Sequence, residues 1–138
     1  MVELYGRPAL LLHGDTLCTD DVEYQAFRQQ VRNPQWQAGV LALSIEQRLQ
    51  MAQSARDASQ QHTGSTDMAI MDVNDGAVRG AFADHSVDLM IHGHTHRPNH
   101  HVLELDNGTR ADRYVLSDWY QAGSYLEVSP AGIRSIDL

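Results

Sequence analysis

Two short apolar runs each stop at a histidine–glycine turn, and this pairing constrains the fold more than any other feature of the chain. Pro8-Ala9-Leu10-Leu11-Leu12 runs straight into His13-Gly14-Asp15, and the run ending Leu89-Met90-Ile91 leads into His92-Gly93-His94-Thr95-His96-Arg97-Pro98. Short apolar stretches bounded by turn signals read as buried strands. Polar side chains placed where such strands end lie at a sheet edge, where α/β proteins keep their chemistry. If the two strands are neighbours, the two turns lie beside each other.

The rest of the chain fits an α/β, or α+β, class. Val22, Phe27 and Val31 share a helical spacing over residues 21–31, with Thr19 or Asp20 as the predicted N-cap. Asn33-Pro34 interrupts it, and a second helical stretch is predicted from Gln35 to about Ser59, with an unusually continuous apolar segment from Val40 to Ile45. Residues 60–67 are polar and predict a mobile loop. A further helix is predicted over 75–85 and a strand over 87–91. Hairpins are predicted around Asp106-Asn107-Gly108 and around Ser129-Pro130-Ala131-Gly132.

A length of 138 residues suits one ordinary domain. With 18 acidic against 10 basic residues the net charge is −8, which argues against a nucleic-acid coating role. Every basic residue other than histidine is arginine, so no lysine is present to act as a tunable base. The lone Cys18 excludes an internal disulfide and a multi-cysteine zinc site, and makes a reducing compartment the expectation. No apolar run approaches the roughly 18 residues of a membrane span. The first residues lack the sections of a signal peptide, so a cytoplasmic setting is expected.

Five of the eight histidines fall between His92 and His101. His94-x-His96 on a turn after a strand can direct two imidazoles at one ion or at two adjacent ions, and Gly93 lets the backbone approach closely. The same pattern on a solvated strand edge has no such role, and spacing alone leaves both readings open. His13 closes the other strand in the same way. Asp15, Asp20 and Asp21 read as caps, turn residues or polar ligand contacts. His92 reads as a packed, hydrogen-bonded histidine, His100 and His101 as the start of a new strand, and His62 and His85 as surface residues.

The turns His13-Gly14-Asp15 and Gly93-His94-Thr95-His96 resemble the last two motif blocks of the calcineurin-like metallophosphoesterases. The longer strings are more specific. Residues 13–21 (His-Gly-Asp-Thr-Leu-Cys-Thr-Asp-Asp), 70–74 (Ile-Met-Asp-Val-Asn) and 91–98 (Ile-His-Gly-His-Thr-His-Arg-Pro) resemble the UDP-2,3-diacylglucosamine hydrolase family, and Asp118-Trp119 and Gly123-Ser124 extend the likeness toward the end of the chain.

That resemblance implies a two-sheet sandwich flanked by helices, with residues 22–67 as a helical cap insertion within a partial domain spanning 1–138. It implies manganese, with His13 and His94 as ligands of one ion and His96 of the other. Asp21, Ser59, Thr63, Thr66 and His94 fall at positions that contact the substrate, an acylated UDP-sugar. Thr66 stands where the best-known members carry lysine, removing a positive charge that would face the pyrophosphate. The implied reaction is attack of metal-bound water on the α-phosphorus, giving UMP and lipid X in lipid A biosynthesis. An acyl-binding cap implies attachment to the cytoplasmic face of the bacterial inner membrane. The opening blocks of the superfamily, Asp-x-His, Gly-Asp-x-x-Asp and Gly-Asn-His or Gly-Asn-Arg, do not occur in this chain.

Those blocks supply the carboxylate that makes two divalent ions roughly 3.5–4 Å apart tolerable. The expectation is therefore a carboxyl-terminal portion of the fold that holds at most one ion weakly and has little or no activity alone, with the missing amino-terminal portion as a possible partner. Two other readings are a non-catalytic remnant that binds acylated lipid or a membrane surface, and a phosphoesterase acting on a different phosphodiester.

Overall fold

A computed structural model describes residues 1–120 and 123–138. The chain divides into two compact units, one formed by residues 1–17 with 73–138 and the other by residues 18–72.

The first unit carries a five-stranded mixed sheet of order β1-β2-β3-β5-β4, built from β1 Val2–Leu4, β2 Arg7–Leu12, β3 Leu89–His92, β4 Asn99–Glu104 and β5 Arg110–Val115. β1 was not predicted from the sequence. It pairs antiparallel with β2 through Tyr5-Gly6, whose φ values of 50° and 82° make the two-residue turn that suits twisted hairpin strands. β2, β3 and β5 run parallel, with Leu10 opposite Met90 and Ile91 opposite Tyr114. β4 pairs antiparallel with β5 across the turn containing Gly108, as predicted. The second predicted hairpin forms a separate two-stranded sheet of β6 Ser124–Ser129 and β7 Gly132–Asp137.

Helix α4, Asp75–His85, coincides with its predicted span. Asn74 caps it by accepting from the Ala77 N–H at 3.0 Å. Val78 and Phe82, one turn apart, bury the same face against Leu10, Leu17, Val87, Met90 and Ala111. At the far end of the sheet from the histidine turns, Arg7 binds Asp88 at 2.7 Å and Asp112 at 2.8 Å. His100 on β4 closes the group with a 2.8 Å contact to Asp112 while stacking on Tyr114.

The second unit is helical: α1 Val22–Val31, α2 Pro34–Ala42 and α3 Ile45–Ser65. Its details correct the sequence reading in three places. The cap of α1 is Asp21 rather than Thr19 or Asp20, because its carboxylate accepts from the Tyr24 N–H at 3.0 Å. The predicted stretch from Gln35 to Ser59 is two helices, since Ser44 and Gln47 form a reciprocal capping box that starts a new helix. Residues 60–65 continue α3 instead of forming a loop, and the Thr63 and Ser65 hydroxyls bond back to Ser59 and Gln61 carbonyls in the preceding turn. Leu41, Ile45 and Leu49 are exposed on α2 and α3. Among the described residues no helix is long and apolar enough to cross a membrane.

Candidate functional site

Parallel pairing brings the two histidine turns together. Leu12 stands opposite His92, so both chains leave the sheet side by side, and the Gly93 N–H donates to the His13 carbonyl at 3.0 Å. On the other flank the Leu116 N–H donates to the His92 carbonyl at 2.7 Å, which carries the chain after β5 to Asp118 at the same edge. Three adjacent parallel strands thus deliver His13, His94 and Asp118 to one end of the sheet.

The His13 and His94 rings lie with centroids 4.8 Å apart and planes inclined by 58°. Asp15, buried in the short turn that follows, places a carboxylate oxygen 3.2 Å from His13 Nδ1. His96 is directed elsewhere: its Nδ1 stands 3.5 Å from Asp118, and its ring meets Tyr120 edge-on at 6.2 Å. His94 and His96 have φ values of 70° and 52°, in the left-handed region that costs a non-glycine residue about 1–3 kcal/mol. Such strain persists only where the surroundings over-determine it. Here they do, through the strand-to-strand bonds on either side of the turn.

Two adjacent imidazoles offer nitrogen lone pairs to a cation. Among the described residues, however, no group of three or more His, Cys, Asp or Glu side chains is arranged to hold a metal ion. Manganese favours carboxylate, carbonyl and water oxygens, whereas the close pair described here, His13 and His94, offers imidazole nitrogens. The donors among the described residues therefore do not by themselves fit a two-manganese centre.

The remaining residues singled out from the sequence lie in the helical unit. Asp21, almost fully buried, is gripped by His62 Nε2 at 2.9 and 3.0 Å while it caps α1. His62 is thus half-buried rather than the surface residue predicted, because α3 continues through it. Its Nδ1 lies 3.2 Å from Glu23 and 3.3 Å from the Thr66 hydroxyl. The hydrogen bond to Asp21 is the largest influence on His62; it outweighs the cost of burial and, with Glu23, raises its pKa above the ordinary histidine value. Ser59 and His62 line a cavity of about 240 Å³ together with Tyr24, Phe27 and Ala58. Thr63 turns its hydroxyl onto the Ser59 carbonyl of its own helix.

Two of these partners were not assigned a role from the residues. Asp118 stands one residue beyond the apolar run Tyr114-Val115-Leu116, as His13 stands directly after its own, and that likeness is the available signal. His62 carried no such mark, since its partnership depends on the unforeseen length of α3.

These observations define a class: a chain with an α/β unit whose histidines cluster at the carboxyl ends of adjacent parallel strands, and a second unit of three helices. No family model matches the chain. The chain is nonetheless related in sequence, along nearly all of its length, to proteins named UDP-2,3-diacylglucosamine hydrolase. It is 49% identical over 140 residues to the one from Bordetella parapertussis, covering 97% of this chain and 54% of that protein. The Cellvibrio japonicus protein is 49% identical over 133 residues, covering 96% of this chain and 55% of the relative. The Serratia proteamaculans protein is 48% identical over 136 residues, covering 99% and 56% respectively. The chain spans about half the length of these curated relatives.

Proposed function

We propose that this chain carries part of the apparatus for hydrolysing the pyrophosphate bond of UDP-2,3-diacylglucosamine. In that reaction the oxygen of water bonds to the α-phosphorus and the bridging oxygen leaves with the acylated sugar phosphate, giving UMP and 2,3-diacylglucosamine 1-phosphate. The observation that carries this reading is the 49% identity to proteins of that name across 97% of the chain. It is supported by the pairing of His13 and His94 at one sheet edge.

Within this scheme His13, His94 and His96 present ring nitrogens at the reacting phosphate's side. Asp21, Ser59, Thr63 and Thr66 contribute to holding the UDP-sugar. Manganese is the ion the resemblance implies, and the donors among the described residues do not alone make its two-ion centre. The 138-residue chain alone is therefore expected to bind substrate without appreciable turnover. Exposed Leu41, Ile45 and Leu49 support acyl-chain contact and attachment to the cytoplasmic face of the inner membrane. They equally favour a second reading, a lipid-binding protein without hydrolase activity.

Calorimetric titration with UDP-2,3-diacylglucosamine tests the first reading. Binding is expected, weakened roughly 5- to 10-fold by Ser59→Ala as one polar contact is lost. Equal affinity for a diacylated lipid lacking the UDP group would favour the second reading. Failure of the chain to bind the acylated UDP-sugar would overturn the first.

A further inference from the structure

We propose that Arg113 is a positioning residue for the turn that carries His94, acting through the buried ring of His92. His92 closes β3 with no solvent exposure, and Arg113 on the neighbouring β5 is 9% exposed. The Arg113 guanidinium nitrogen Nη1 lies 3.0 Å from His92 Nε2. A guanidinium only donates, so Nε2 accepts and the ring proton belongs on Nδ1. His92 Nδ1 lies 2.9 Å from the Gly93 carbonyl oxygen and donates to it. The Thr95 N–H donates to the same oxygen at 2.9 Å, so both of its lone pairs are engaged.

This carbonyl belongs to the peptide that joins Gly93 to His94. Fixing the plane of that peptide fixes the entry to His94 at its left-handed φ of 70°, and with it the direction of the ring facing His13. Arg113 thus selects the His92 tautomer, the tautomer holds the carbonyl, and the carbonyl orients the turn. A buried arginine is a poor way to gain stability alone, since an apolar residue of similar volume often packs as well. Its place here is accounted for by the chain of donors leading to His94.

Long-range ¹H–¹⁵N NMR of the histidine rings in the intact chain tests this without substrate or metal, so its result does not depend on the hydrolase reading. The wild-type spectrum is expected to show His92 protonated on Nδ1 and bare on Nε2, with a cross-relaxation signal between the His13 and His94 rings. In Arg113→Met, measured where circular dichroism shows a folded chain, the His92 pattern is expected to change and the His13–His94 signal to disappear. Arg113→Lys, which keeps a donor, is expected to restore both in part. A wild-type His92 protonated on Nε2 would overturn the proposal even if Arg113→Met fails to fold. So would a folded Arg113→Met variant that keeps the His13–His94 signal.

Discussion

A Cβ atom placed on Gly14 would stand 2.7 Å from the carbonyl oxygen of Gly93 and 2.9 Å from His92 Nδ1. The two histidine turns are therefore in backbone contact, and the close approach of His13 to His94 depends on a residue with no side chain. Gly14 also has a φ of 113°, a conformation other residues rarely adopt. Gly14→Ala should destabilise the sheet unit by about 2 kcal/mol or more, or separate the turns if they yield instead. Thermal unfolding by circular dichroism should show a midpoint lowered by roughly 5–10 °C. An unchanged midpoint with an intact His13–His94 signal would contradict the packing described.

His62 joins the two ends of the helical unit through Asp21 and Glu23. Its folded-state pKa is raised, chiefly by the Asp21 hydrogen bond, so the protonated ring stabilises the fold. That contribution is complete below the unfolded value of about 6.5 and is lost as pH rises through the folded value above it. Unfolding of the helices should therefore become easier as pH rises above about 6.5. His62→Gln should flatten this dependence while lowering stability at pH 6. A pH profile identical in the variant and the wild type would exclude the assignment.

Asp112 gives the opposite sign. Burial pushes its carboxyl up, but the hydrogen bonds from His100 and Arg7 outweigh burial and hold it below the usual carboxylate range. Its stabilising effect is present above the unfolded value of about 3.9 and is lost as pH falls through the lower folded value. Acid unfolding should thus be delayed by Asp112, and Asp112→Asn should shift the acid midpoint upward. An acid titration followed by fluorescence of Trp36 and Trp119 reads this directly.

The sheet edge was legible in the sequence because apolar strands and abrupt polar turns are encoded locally. Pro8 to Leu12 and Leu89 to Ile91 marked the strands, and their parallel pairing then placed His13 beside His94. The length of α3 was not legible, because residues 60–65 are polar in composition yet satisfy their hydroxyls inside the helix. His62 was misread for that reason. β1 was hidden because Tyr5 adopts a left-handed conformation with no asparagine–glycine signal to announce the turn. His96 shows another limit of spacing: alternate histidines on one turn have different neighbours, one facing His13 and the other Asp118.

We propose that His13 and His94 serve hydrolysis of an acylated UDP-sugar when the chain is completed by the part of a relative that it does not match. This is tested by fusing the chain to the part of the Bordetella parapertussis protein that lies outside their matched region and measuring manganese-dependent UMP release from UDP-2,3-diacylglucosamine. The fusion should release UMP well above the chain alone, and His94→Ala should reduce that release by about 100-fold or more. A folded fusion that releases none, or one indifferent to His94→Ala, would contradict it.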